Sequence, residues 1–426
     1  MKKLFEKLIQ LKAKQVIKKF KPRIVAITGS VGKTSTKNAI AAVLKTKFSV
    51  RVAEENYNNE FGVPFAILGA KSPGRSPLGW LKLLLKTEKT FPEILVLEFG
   101  ADQPGDISAL CDLAAPEIGV VTAITPVHVE NYGSDIDGLV AEKRVLIERL
   151  KANGLAVLNG DDDRVRGMAM KSQAPILTYG VNSSDVQASN FALETLKDFS
   201  FEHGETFATL GFHVRAKDQD FDAALKNALS RTQVLSALAA IAVGQYLGLT
   251  SEEMLKGLLT LEPVKGRLNP VLGIKGSLIL DDSYNAAPAS TSAALQVLSA
   301  FKPSENRRRI AVLGDMGELG IHSEAEHRNL GLQAAGAGID LLYCVGEKSR
   351  DTARGALEAG MNQNQVREFS NSIDAGRHLD QEIKQGDIVL IKGSQSARME
   401  KVVKDIMAEP LRAGELLVRQ YGKWVE

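Results

Sequence analysis

The β-branched run Ile24 to Ile27 leads directly into Thr28-Gly29-Ser30-Val31-Gly32-Lys33-Thr34-Ser35, and a helical stretch over Lys37 to Lys45 follows. A strand, a glycine-rich turn and a helix in that order constrain this chain more than any other feature. They call for an α/β layout with a phosphate-binding loop at the end of a strand. Gly29 and Gly32 let backbone amides turn toward an anion, with Ser30 and Ser35 beside them. Lys33 can reach the β and γ phosphates, and Thr34 can ligate Mg²⁺. The helix presents its positive N-terminus to the same place. The full GxxxxGK[ST] pattern is not met, because Ile27 stands at its first position. From this segment alone, a chance glycine-rich turn is the competing reading.

Short apolar runs at Ile94 to Leu97 and Gly119 to Thr122 extend a mostly parallel sheet with crossover helices. Val181 to about Asp222 alternates polar and aromatic residues, which suits an antiparallel excursion, and an Ala/Leu-rich helix follows at Thr232 to Leu247. Leu261 to Gly266 reads as a linker, since Pro and Gly break the helical pattern there. A second α/β series then runs through Leu278 to Asp281, Ile310 to Leu313, Leu341 to Val345 and Ile388 to Ile391. The fold class is therefore α/β. A basic amphipathic helix (1–22) leads into a central P-loop domain with a mostly parallel sheet (23–263), followed by a C-terminal Rossmann-like α/β domain (264–426).

Charge is unevenly placed. Residues 1 to 23 hold eight Lys and one Arg against the single Glu6, a net +8, which leaves −6 on the rest of a chain whose total is +2. An acidic body argues against a nucleic-acid partner. The apolar positions of residues 2–20 recur at helical spacing, with lysines on another face. That helix either packs on the first domain with its lysines in water or makes peripheral contact with an anionic membrane. The two cysteines, Cys111 and Cys344, carry no CxxC or zinc-ligand spacing, so a reducing cytoplasm is expected, with the inner face of the membrane as the variant location.

The segment ITGSVGKTSTK resembles the ATP loop of the Mur ligase family, whose shorter GxxGK[ST] form accounts for Ile27. Six more segments carry the resemblance in the family's order: NYNNEFGVPFAIL from Asn56, EFGADQPG from Glu98, ITPVHVENYGS from Ile124, DDSYNAAP from Asp281, GDMGELG from Gly314 and KGSQSARMEKVV from Lys392. GDMGELG and KGSQSARME favour the dipeptide-adding branch over folylpolyglutamate and cyanophycin synthetases.

The resemblance implies a monomeric, ATP- and Mg²⁺-dependent ligase. It would activate a muramoyl-peptide carboxylate as an acyl phosphate and pass it to the amine of D-Ala-D-Ala. It implies Thr34, Glu98, His128 and a carbamylated Lys143 as metal-binding residues, and Lys33, His128 and Lys143 as the catalytic set. Arg267, Asp282 and Asn285 would hold the adenosine, while Asn58, Asn59, Asp315, Glu318, Lys392 and Ser394 would surround the substrates. From the residues alone, the competing readings are a solvated edge carboxylate for Glu98, a structural histidine for His128 and a solvated helix lysine for Lys143, and for the last two the residues alone favour the competing reading. Arg144 leaves the alignment of Lys143 safe only to within one position. Asp315, Glu318, Lys392 and Ser394 read equally as surface or loop-capping groups, and His322 and His327 as helix-surface residues, although His327 matches a recurrent histidine of the family.

The sequence also departs from the family's pattern. Ser236 and Ala287 stand where asparagines are usual, so base recognition is expected to be weakened or rebuilt. The branch normally carries a UDP-sugar domain ahead of the loop. Here only the basic helix precedes Thr28, which implies another way of holding the nucleotide-sugar or a different acyl substrate. Two readings from other classes remain: a non-catalytic ATP-binding partner subunit and a switch-type NTPase.

Overall fold

The computed structural model describes residues 2–53, 57–74, 76–87, 89–125, 129–133, 136–196, 205–217, 219–301 and 307–424. The chain forms two compact units: Met1–Phe191 with Gly211–Leu225 and Arg231–Leu261, and Ala192–Leu210 with Lys226–Ser230 and Glu262–Glu426.

β1 (Arg23–Thr28), β2 (Val50–Val52), β3 (Ile94–Glu98), β4 (Ile118–Val121), β5 (Leu155–Asn159), β6 (Ile176–Gly180), β7 (Val186–Thr195), β8 (Ala208–Ala216) and β9 (Gln219–Lys226) form one sheet, most of whose residues belong to the first unit. Its order is β2-β3-β1-β4-β5-β6-β7-β8-β9. β3, β4 and β5 are buried along their whole length, as expected of parallel strands covered on both faces. β8 alternates between buried and more exposed positions, which is the period-2 signature of a strand covered on one face. β1 pairs in parallel with β3 on one side and β4 on the other, so the strand order reverses at β1 and opens a crevice at its C-terminal end.

The helices of this unit are α1 (Lys2–Phe20), α2 (Lys33–Leu44), α3 (Gly62–Leu68), α4 (Pro77–Leu85), α5 (Asp106–Leu113), α6 (Ile136–Glu148), α7 (Asp163–Gly167), α8 (Arg231–Tyr246) and α9 (Ser251–Leu258). α1 packs on the domain: Ile9, Ala13 and Val16 are buried, Phe5 stacks on Trp80 and Phe20 on Phe91. Lys12 Nζ donates to the carbonyls of Leu84 and Lys86, at 2.6 Å each, at the end of α4. The apolar stripe that a membrane would need is therefore spent inside the protein. Among the described residues no helix is long and apolar enough to cross a membrane.

In the second unit, β10 (Asn269–Leu272), β11 (Leu278–Asp282), β12 (Arg309–Gly314), β13 (Leu341–Val345), β14 (Val366–Phe369) and β15 (Ile388–Lys392) are ordered β10-β11-β15-β12-β13-β14. Only β10 runs antiparallel. Its helices are α10 (Pro288–Ala300), α11 (Ser323–Gly336), α12 (Ser349–Glu358), α13 (Ser372–Glu382), α14 (Glu400–Ile406) and the short α15 (Ala413–Leu416). Leu278 and Leu280 feed one core cluster and Ile279 the other, so alternate residues of β11 face opposite helical layers.

Candidate active site

The glycine-rich loop is built by close approach. Gly29 has φ 142°, and a Cβ there would fall 1.9 Å from Thr122 Oγ1. Thr122 Oγ1 donates to Val31 O at 2.6 Å, and Ser30 N donates to Ala123 O at 2.7 Å, which holds the loop against the end of β4. Gly32, with φ 86°, turns the chain into α2. Lys33 Nζ donates to Gly29 O (2.8 Å) and Ser30 O (3.3 Å), so its ammonium lies within the loop. Ser30 Oγ donates to Thr125 O at 3.0 Å, and Ser35 lies in the first turn of the anion-facing helix end.

Glu98, the last residue of β3, is 3% exposed. Thr34 Oγ1 donates to its Oε2 at 3.3 Å. Lys37 Nζ lies 3.1 Å from its Oε1, yet that oxygen accepts no well-aligned hydrogen bond. A buried carboxylate oxygen beside a threonine hydroxyl, at the mouth of a phosphate loop, suits a hard divalent cation. Among the described residues no cluster of three or more His, Cys, Asp or Glu is placed to hold a metal. His128 lies outside the described residues.

Lys143 is 2% exposed on α6. Burial, with the nearby Lys33 charge as the next cause, pulls its ammonium down to about 7. Its neighbours point elsewhere: Glu142 accepts from Gly105 N and Ile107 N at the start of α5, and Arg144 pairs with Glu148. The inward lysine is thus Lys143, and the expectation of a solvated helix lysine is overturned. Asn58 O accepts from Gly100 N at 2.6 Å, just after Glu98. Asn59 Oδ1 accepts from Phe61 N and Gly62 N, so its side chain caps the start of α3. Ser236 is buried and receives a hydrogen bond from Thr36 Oγ1 at 3.2 Å, which places its hydroxyl in the α2–α8 packing.

In the second unit the candidates gather at the C-terminal ends of three adjacent strands. Lys392 Nζ donates to Asp282 Oδ2 (2.6 Å) and Asn285 O (3.0 Å), with both charged groups buried. Leu268 N donates to Asp282 Oδ1, and Asn285 Oδ1 accepts from Ala286 N. Burial raises the Asp282 carboxyl and lowers the Lys392 ammonium. The Arg267 guanidinium lies over the Tyr284 ring, 4.4 Å from its centre. Asp315 accepts from the amide and hydroxyl of Ser349, its carbonyl accepts from Ser394 N, and Ser394 Oγ lies 3.1 Å from Ser396 Oγ. Glu318 is exposed on a residue with φ 61°.

Two comparisons with protein families fit this geometry. The Mur ligase middle domain matches residues 27–244, and the Mur ligase glutamate ligase domain matches residues 266–395. The chain belongs to the Mur ligase family. Relatives of this Mur ligase include the UDP-N-acetylmuramoyl-tripeptide-D-alanyl-D-alanine ligase of Bacillus subtilis, 30% identical over 95% of this chain and 80% of the relative. The Escherichia coli enzyme of that name is 32% identical over 90% of this chain and 76% of its own. Among solved structures, the MurF ligase of Thermotoga maritima in complex with ADP aligns with a TM-score of 0.75 and 27% identity, covering 94% of this chain and 83% of that one.

Several residues near the candidate site have structural roles that the sequence did not show. Lys37 sits one helical turn beyond Lys33 on the buried side of α2, and only the position of β3 reveals Glu98 opposite it. Arg419 is buried, donating to Ser283 O, Tyr284 O and Glu400 Oε2, which braces the DDSYN segment. His327 corrects the expectation of a helix-surface residue. It is fully buried, its Nε2 accepts from Met316 N at 2.9 Å, and its Nδ1 donates to Ser323 O at 2.7 Å. His322 is exposed, as expected.

Proposed function

We propose that this Mur ligase uses ATP to join the carboxylate of a muramoyl peptide to the amine of D-Ala-D-Ala, releasing ADP and phosphate. The observation that carries the reading is the Gly29–Gly32 loop with Lys33 and Thr34 set against buried Glu98, in a chain at least 30% identical to ligases of that specificity over most of its length. The substrate carboxylate attacks the γ phosphorus and ADP departs. The amine then attacks the acyl carbon, the C–O bond to phosphate breaks, and the amine's proton leaves to solvent. Both steps concentrate negative charge, so the chain's task is to neutralise and orient.

Lys33 turns from its loop carbonyls to the γ phosphate. Thr34, Glu98, His128 and Lys143 are the residues that would hold magnesium, which would supply charge neutralisation across phosphate and carboxylate. Lys143 serves there as a carbamate, formed when its neutral amine attacks CO₂ and a proton is lost, and its depressed pKa supports that chemistry. Arg267, Asp282 and Asn285 hold the adenosine. Asn58, Asn59, Asp315, Glu318, Lys392 and Ser394 hold or frame the acyl and dipeptide substrates. The ligase acts as a monomer in the cytoplasm, with its basic N-terminal helix at the inner face of the membrane.

The test is phosphate release with UDP-muramoyl tripeptide, or the same tripeptide without UDP, each with and without D-Ala-D-Ala. Release that depends on both substrates, with a product heavier by the dipeptide, is expected. Equal release in the absence of any acceptor would make the protein a simple NTPase and overturn the reading.

A further inference from the structure

With Ile9, Ala13 and Val16 buried, the apolar surface that remains on this side of the first unit belongs mainly to α4. Leu78, Leu81 and Leu85 are 78%, 51% and 69% exposed, and their i, i+3, i+7 spacing puts them on one face of that helix. Leu11 on α1 is 56% exposed, with Leu8 beside it. The two helices are joined by the Phe5–Trp80 stack and by Lys12 at the α4 carbonyls. Lys7, Lys14, Lys18 and Lys19 on α1 and Lys82 on α4 are exposed, and the two helices together contain one acidic residue, Glu6.

We infer that α1 and α4 form a docking surface for an anionic lipid bilayer, with Leu78, Leu81 and Leu85 entering the acyl boundary and the α1 lysines meeting the head groups. The inference rests on the proposed membrane-face location and moves the inserting element from α1 to α4. Exposed leucines among charges of one sign match a layer that is anionic outside and apolar beneath. A second copy of the chain fits worse, because a two-fold contact would press two lysine-bearing faces together. A nucleic acid would engage the lysines and leave the leucines in water. α4 is also preformed: Ser76 Oγ accepts from Gly79 N at 3.1 Å and Pro77 occupies the first turn, so little ordering is left to the binding step.

The full chain is mixed with vesicles of equimolar phosphatidylglycerol and phosphatidylcholine, and binding is read by co-sedimentation and by Trp80 fluorescence. The parent is expected to bind at low salt, to release as salt rises, and to ignore pure phosphatidylcholine. L78S/L81S/L85S should lower partition by about 10-fold or more, since three inserting side chains are lost. K7Q/K14Q/K18Q should lower it similarly at low salt. All six side chains are exposed, and circular dichroism with thermal melting checks that both variants fold. If the leucine variant binds like the parent while the lysine variant does not, the α4 assignment falls and the α1 membrane contact stands. If the parent ignores anionic vesicles, both fall. If the leucine substitutions instead turn a dimer into a monomer in sedimentation, the face is an interface between copies and the lipid assignment is overturned.

Discussion

Lys37 Nζ and Glu98 Oε1 lie 3.1 Å apart with both side chains almost wholly buried, so a lysine holds the charge of the carboxylate that the phosphate loop faces. The pair sits where a bound magnesium ion would add its own positive charge. Lys37→Met leaves that carboxylate buried and uncompensated, and the loss is expected to be about 3–5 kcal/mol. Urea unfolding measures it. Adding Glu98→Gln to Lys37→Met should recover much of the loss, whereas additive destabilisation would show that the two groups are not coupled.

Lys33→Ala should reduce turnover by at least about 10²-fold, because it removes a charge aimed at the transferring phosphate. Gly29→Ala should abolish nucleotide binding in calorimetry, since its Cβ would lie 1.9 Å from Thr122 Oγ1. Near-normal turnover in the lysine variant would remove the loop from the chemistry.

Lys143 makes a pH prediction with a definite sign. Its folded pKa of about 7 lies below the ordinary lysine value of 10.5, so between these the unfolded chain binds the extra proton. The stability of the unmodified enzyme should therefore rise with pH across that window, and Lys143→Met should flatten the slope. Carbamate formation needs the neutral amine, so a carbamate signal from ¹³C-bicarbonate should fade as pH drops below about 7 and be absent in the variant. Lys143→Ala should lose activity, with short-chain carboxylic acids rather than bicarbonate as the agents of rescue. Full activity in that variant would show that the metal has another ligand.

His327 positions the loop that carries Asp315 and Glu318. His327→Ala strands the buried Met316 amide at a cost of about 1–3 kcal/mol. The displaced loop should raise KM for D-Ala-D-Ala by about 10-fold or more while kcat changes less. Equal loss in both parameters would point to general unfolding instead.

Ser236 moves a specificity question into packing. Because its hydroxyl bonds to Thr36, Ser236→Ala should cost about 1 kcal/mol and leave the ATP to GTP preference unchanged. Ser236→Asn should lower Tm by overfilling the α2–α8 contact. A gain in ATP preference from the asparagine would return the residue to the base pocket.

The layout was legible because the parallel strands are uninterrupted apolar runs between turn signals. β3, for instance, is Ile-Leu-Val-Leu-Glu with every residue buried. α1 was legible to its last residue, since Phe20 ends the repeat before Pro22. Its destination was not, because an amphipathic stripe looks alike whether it meets a protein or a lipid. The loop announced itself through local spacing. Lys37 and Arg419 did not, and the family match of His327 did not tell its burial, since each acts on a partner far along the chain or on a backbone group, which no local pattern encodes.

The contact between Gly29 and Thr122 ties two distant stretches of chain into one structural unit. No side chain larger than hydrogen fits at 29 while the β4 exit keeps its threonine, and Thr122 Oγ1 in turn secures the loop through Val31 O. A smaller residue at 122 would not by itself admit a side chain at 29, because a φ of 142° is strained for any residue but glycine and Ala123 O lies 3.2 Å from the same Cβ. Anyone grafting a longer phosphate loop onto this scaffold would have to redesign the exit of β4 in the same step.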